Sequence, residues 1–324
     1  MTGDFFADLW AGLLPILQVI GSSTFLYSVF RLTTPILFAT MAALVSDRAG
    51  VTNISIEGAM LFAALMGVVG SAYAQSCWVG LLVAIAAGVV FSLLLAFFHL
   101  WLKTNLVLTC IALNSLSSGL TIFILYMLTG DRGVSTALHS INMPKVNIPL
   151  LKDIPFLGEV LSGHNVLTYM AVVVVVLVAI LLYKTKLGIY IRAVGESPKA
   201  IETAGFSSRR IRLYALIISG VIAGMGGAFM SMAYVSGFTK DMISGRGFIA
   251  LAAEAMGCGK PLLSSLAALL FGFTDSLANN LQVLGLSSDL ARMFPYVITI
   301  VALSIYASKT ARGIRKTKKR HAAK

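Results

Sequence analysis

The chain has 324 residues, 58% of them hydrophobic and only 12% charged, with a formal net charge of +12. A soluble domain is about half apolar, so the excess belongs to an all-α polytopic membrane protein. The positive charge collects in loops and in the tail, which is the topological bias of membrane proteins, so nucleic-acid binding is set aside as its cause.

Apolar runs that read as spans fall at about residues 9–28, 33–45, 57–74, 79–100, 106–128, 165–183, 211–235, 247–258, 262–283 and 293–307. The N-terminal MTGDFFADLW has no basic region ahead of the first run, so no cleavable signal peptide is expected. A helix needs about 20 mainly apolar residues to cross a bilayer, so 33–45 and 247–258 are too short to cross as straight helices. Non-helical backbone survives at membrane depth only when buried in protein or lining a wet cavity. Interrupted spans are therefore the best sequence pointer to a transport site.

Each short run adjoins unusual polar sequence. Ser46–Gly58 (SDRAGVTNISIEG) carries Asp47 and Arg48, read as interfacial, and then Asn53 and Glu57. An ionisable group held inside a membrane costs several kcal/mol, which makes Glu57 a candidate for the solute path. The plainer reading is a carboxylate at a helix N-terminus, favoured by the dipole. Further candidates at depth are Asn114 in the fifth run, Glu254 in the eighth, and Asp275 with Asn279 in the ninth, four apart and so on one helix face. Polar amides in spans serve as interhelical glue as well as solute ligands. Gly220, Gly224, Gly226 and Gly227 approximate the small-residue spacing of closely packed helices.

Gly257-Cys258-Gly259-Lys260 lacks the first glycine and the closing Ser/Thr of a phosphate loop. Cys77, Cys110 and Cys258 show no metal or redox spacing. His99, His139, His164 and His321 are isolated, and no catalytic motif is present. Neither a catalytic nor a metal site is expected.

Between the sixth and seventh runs lies a basic island, Lys184–Arg212, in which seven Lys/Arg face only Glu196 and Glu202. Basic residues beside spans mark the cytoplasmic side. Alternation then puts Asp131–Asn165 outside and both termini inside, with a transmembrane domain over 1–308 and a basic tail over 309–324. Within the island Ser197-Pro198 predicts a helix start and Gly205 its stop, a short helix lying across the inner face.

Four ordered segments carry a family resemblance: TPILFATMAALVSDRAGVTNISIEGAM (34–60), GIYIRAVGESPKAIETAGF (188–206), SGVIAGMGGAF (219–229) and GFIALAAEAMGCGKPLLSSLAALLFG (247–272). Together they resemble inner-membrane permease subunits of ABC importers, in the branched-chain amino acid, ribose and nucleoside group. The run R-A-G-V-x-N-I-x-x-E-G (48–58) is most similar to permeases for nucleosides and simple sugars.

The resemblance implies a type II importer fold and no cofactor on this chain, ATP and Mg²⁺ being held by a partner ATPase. It implies that Arg192, Glu196, Ser197, Pro198, Lys199, Glu202 and Gly205 belong to the coupling segment that the ATPase grips. It also implies a second permease subunit, as heterodimer or homodimer, and an extracytoplasmic binding lipoprotein that delivers a small neutral solute. A nucleoside is the first expectation for that solute, with ribose or another simple sugar second. Ser55 departs from a usual glycine, Ile201 from a common alanine and Glu254 from an apolar position. An ion-driven carrier coupled through Glu57, Glu254 and Asp275 is the alternative of a different class, and a scaffold a third.

Overall fold

A computed structural model describes residues 22–147 and 157–283, with the single position 297. In chain order the helices are α1 Ser23–Arg48, α2 Ile56–Ala74, α3 Cys77–Ala96, α4 Leu106–Thr129, α5 Leu157–Leu161 and α6 Val166–Lys184. They continue with α7 Lys186–Glu196, α8 Pro198–Thr203, α9 Ser208–Phe229, α10 Arg246–Met256 and α11 Pro261–Val283. Two π-helical turns, Phe97–Trp101 and Met230–Tyr234, extend α3 and α9. Among the described residues seven helices are long and apolar enough to cross a membrane: α1, α2, extended α3, α4, α6, extended α9 and α11.

The bundle is built around α1, which is buried without interruption from Leu32 to Ser46. A helix apolar on every side can be stable only in such a central place. Around it pack α6, α9, α10 and α11, while α2 and α3 close on α9 to form a second group. That closure needs glycine. A Cβ on Gly224 would lie 2.7 Å from the Ala84 carbonyl oxygen, and one on Gly88 2.9 Å from the Gly224 main chain. The predicted small-residue stripe is thus where α9 crosses α3.

Eight of the ten expected runs fall on described helices, seven of them long enough to cross a membrane, with one correction. The run at 33–45 is not a short, broken span, because α1 is a single helix of 26 residues with Pro35 inside it. Proline frees the carbonyl four residues back, and local hydroxyls and tight neighbours make this tolerable in a buried helix. Pro35 frees the Arg31 carbonyl, and beside it Thr34 Oγ1 donates to the Phe30 carbonyl at 2.8 Å. Residues 23–28 belong to the same helix; residues 9–21 of the first run, the tenth run apart from position 297, and both termini lie outside the described residues. The run at 247–258 is the short one, as expected: α10 has 11 residues.

α4 differs from the other long helices in how little it buries. One stripe, Thr109, Cys110, Leu113, Ser117, Thr121 and Leu125, is covered, and Leu108, Ile111, Phe123 and Met127 are exposed.

Candidate functional site

Two interruptions meet midway along the bundle. The first follows α1. Gly50, at φ +73°, turns the chain at the basic end, and residues 51–55 return into the bundle without forming helix. Their polar groups pair within the segment and with side chains of α4 and α9. Asn53 accepts from the Ser55 amide at 3.0 Å and hydroxyl at 2.7 Å, and donates to Ser219 Oγ at 3.4 Å. Asn114 Nδ2 donates to the Ile54 carbonyl at 3.1 Å, and its Oδ1 accepts from the Gly58 amide at 2.9 Å. Pairing of this kind is what unwound backbone inside an apolar bundle demands. As a result α2 starts against the middle of α4 rather than at the end of the bundle.

The second interruption precedes α10. Asp241, Ser244 and Gly245 stand at φ 52°, 53° and 81°. For the two non-glycine residues this left-handed backbone costs about 1–3 kcal/mol each, a strain that clusters at functional sites. The turn they form leaves α10 with no capping side chain of its own at Gly245. Glu57, in the first turn of α2, supplies the cap from across the gap. Its Oε1 accepts from the Gly245 amide and its Oε2 from the Gly247 amide, each at 2.7 Å. Two helix N-termini with positive dipole ends therefore share one carboxylate. A Cβ on Gly247 would lie 2.7 Å from the Glu57 amide nitrogen, so the fit requires glycine.

The seam continues on both sides. Arg246 pairs with Asp275 of α11 at 3.5 Å, with both side chains largely buried, and its guanidinium lies 5.8 Å from the Tyr234 ring. Arg31 of α1 donates to the Tyr234 carbonyl at 2.8 Å and sits 4.7 Å from the same ring. Toward α4, Ser118 Oγ donates to Asp241 Oδ1 at 2.9 Å. Asp241 is exposed, although Ser118 is at the middle of its helix.

Of the sequence candidates, Asn53, Glu57, Asn114 and Asp275 belong to this seam. The first three are fully engaged in holding backbone, and Asp275 is taken by Arg246. Glu254 does not belong to it. It is buried near the basic end, where its main-chain carbonyl accepts from Ser264 Oγ at 3.4 Å. Asn279 is exposed one turn beyond Asp275. Asp241 and Ser118 were missed: in sequence Asp241 sits between Lys240 and Arg246 like any residue of a charged surface loop.

At the basic end, the island folds into two helices, α7 and α8. Ser197 caps α8 by accepting from the Ala200 amide at 3.4 Å, and Pro198 is its first residue. The stop combines Gly205 at φ +84° with the bonds Gly205 N–H to Glu202 O and Phe206 N–H to Ile201 O, at 3.0 and 3.1 Å. Ile201 is buried, while Glu196, Ser197, Lys199, Glu202 and Gly205 are exposed. Arg192 turns away from that surface, its guanidinium 5.2 Å from the Tyr183 ring of α6.

A model of the family described as branched-chain amino acid transport system / permease component matches residues 25–303. The guanosine ABC transporter permease protein NupQ of Bacillus subtilis is 33% identical over 300 residues, covering 89% of this chain and 92% of that one. The nucleoside ABC transporter permease protein NupC of Lactococcus lactis is 32% identical, over 90% of this chain and 93% of its own. The putative glucose ABC transporter permease protein TsgC13 of Haloferax volcanii is 32% identical, over 86% and 89%. No solved structure gives a significant match.

Proposed function

Because the chain belongs to the branched-chain amino acid transport system / permease component family, and so is a multi-pass ABC importer permease rather than an enzyme, we propose that it forms the path by which nucleosides enter the cell. An ABC permease works with ATPase and binding-protein partners, and family membership sets aside the ion-driven and scaffold readings. ATP and Mg²⁺ belong to the partner ATPase.

The observation that carries the reading is the exposed carboxylate of Asp241 against the middle of α4. A charged group at that height does not face lipid; it faces water in a path. The remaining exposed face of α4 would be covered by a second permease subunit, a heterodimer in the first instance and a homodimer otherwise. The basic end would be cytoplasmic, with α8 docked on the ATPase through Glu196, Ser197, Lys199 and Glu202. At the other end, segments 131–147 and 235–240, bridged at Val134 and Thr239, would receive the binding lipoprotein. ATP-driven closure would act through α8 to switch the path between its two openings, the solute contributing only by its different affinity for the two states.

Nucleosides are preferred because two relatives bear that substrate in their names; the Haloferax relative favours a simple sugar as the second reading. The test is uptake of a labelled nucleoside, ribose and an amino acid in cells with and without this chain, before and after ATP depletion at constant membrane potential. Loss of nucleoside uptake alone, with dependence on ATP, is expected. Uptake that ignores ATP, or loss confined to ribose or the amino acid, would overturn the proposal.

A further inference from the structure

We infer that Asp241 and Ser118 form a binding site for a vicinal diol, the contact by which this path selects a ribose-bearing solute. The inference rests on the proposed nucleoside reading and deepens it.

The acids of the seam differ in what each is free to do. Glu57 has both oxygens bonded to amides of α10. Asp275 faces Arg246. Glu254 lies away from the seam, buried toward the basic end. Asp241 alone among these four is exposed, with Oδ1 accepting from Ser118 and no ion pair among the described residues. An ionised carboxylate only accepts hydrogen bonds, so its second oxygen is suited to a hydroxyl donor. The Ser118 hydroxyl has spent its proton on Oδ1 but keeps lone pairs for a second hydroxyl. The free Oδ2 and the lone pairs of the Ser118 hydroxyl thus sit on two groups already joined by one hydrogen bond, and together they offer acceptors for the two hydroxyls of a diol.

The backbone supports the same assignment. Asp241 is held at φ 52° by a turn in which the Ser244 amide and hydroxyl both donate to its carbonyl, at 3.1 Å each. On the other side the Lys240 amide donates to the Gly133 carbonyl at 2.8 Å. A left-handed conformation fixed from both sides presents the carboxylate in one orientation, and such strain is retained where it serves a site.

The test uses the complete transporter in cells and measures uptake of a ribonucleoside and of its 2′,3′-dideoxy counterpart. The wild type is expected to favour the ribonucleoside; Asp241→Asn is expected to reduce that preference at least about tenfold, the value of one charge-assisted hydrogen bond, and Ser118→Ala about threefold or more, the value of a neutral one. A merely structural role would lower both uptakes together and leave their ratio unchanged, which would overturn the inference. A wild type without preference for the diol would overturn it also. Should Asp241→Asn abolish all uptake, Ser118→Ala decides, because it retains the carboxylate. A wild type that imports neither nucleoside would instead refute the nucleoside reading beneath it.

Discussion

The guanidinium of Arg48, the last residue of α1, donates to the main-chain carbonyls of Cys258 and Gly259 at 2.6 and 2.8 Å. It thereby ties the central helix to the loop between α10 and α11. The neighbouring main chain is clasped from the other side. Arg212 Nε donates to the Ala49 carbonyl at 3.2 Å, and a Cβ on Gly195 would lie 3.2 Å from the Gly50 amide and closer still to the Arg48 carbonyl. The end of α1 is thus the joint at which α7, α9 and the α10–α11 loop meet. A displacement of α8 and α7, if ATP drives one, would reach α10 through this joint.

Arg48→Ala should therefore separate ATP hydrolysis from transport. Two charge-assisted hydrogen bonds are lost, about 1.5–3 kcal/mol each. ATPase activity of the reconstituted complex is expected to persist while solute uptake per ATP falls about tenfold or more. Arg48→Lys, which lacks the planar fork, should recover only part. Equal uptake per ATP in wild type and Arg48→Ala would remove the joint from the coupling path.

At α8 the corresponding prediction concerns Glu202, which is exposed and accepts from the Ser208 hydroxyl at the start of α9. Glu202→Arg reverses a charge on the proposed docking surface and drops that bond. Expression and solute binding should survive, with ATP hydrolysis no longer driving uptake. Normal uptake by the variant would show that the ATPase docks elsewhere.

Glu57 gives a stability prediction. Glutamine at position 57 keeps one carbonyl acceptor, so one of the two α10 amides loses its partner and the shared carboxylate charge disappears from two helix N-termini. The expected cost is about 1–3 kcal/mol, visible as a lower midpoint of thermal unfolding in detergent. Glu57→Asp, one methylene shorter, should not restore it. A midpoint unchanged in Glu57→Gln would mean that α10 starts without this cap.

Much of this arrangement is legible in the sequence because it follows from local chemistry. The α8 cap and stop are written in Ser197, Pro198 and Gly205, and the polar break before Glu57 is visible as SDRAGVTN. The errors arise where tertiary packing overrides a local signal. Residues 9–28 and 33–45 read as separate runs, yet neighbours on every side hold α1 helical from Ser23 to Arg48 through Pro35. Asp241 reads as a surface charge because its neighbours are charged; only the dip of the turn to the middle of α4 brings it against Ser118. Glu254 stood out as an acid in an apolar run, but α10 carries it away from the seam, toward the basic end.

Close packing of α3 against α9 predicts a contrast between two glycines. Gly224→Ala must push against the Ala84 carbonyl at 2.7 Å, whereas a Cβ on Gly119 of α4 meets nothing within 4 Å. The first substitution should lower the unfolding midpoint. The second should raise it slightly, since alanine is favoured over glycine in a helix by about 0.5–1 kcal/mol. Similar midpoints for the two variants would mean that α3 and α9 do not cross this tightly.

The last prediction concerns pH and the loop that precedes α6. His164 is 2% exposed, stacked on Tyr27 with ring centroids 4.1 Å apart, and its Nε2 lies 2.8 Å from the Val160 carbonyl. Burial holds its pKa below the usual 6.5, opposed by the Val160 carbonyl and aided by the positive charge of Arg31. A folded-state pKa below the unfolded value means that the unfolded chain binds more protons in that range. The stabilisation from neutral His164 is then full above pH 6.5 and is lost as the pH falls through the folded value. The thermal midpoint of the purified protein should therefore drop between about pH 7 and pH 5. His164→Gln, with no proton to gain, should show a smaller drop over the same interval. An identical drop in wild type and variant would assign the pH dependence to other groups and leave the α1–α6 contact through Tyr27 insensitive to acid.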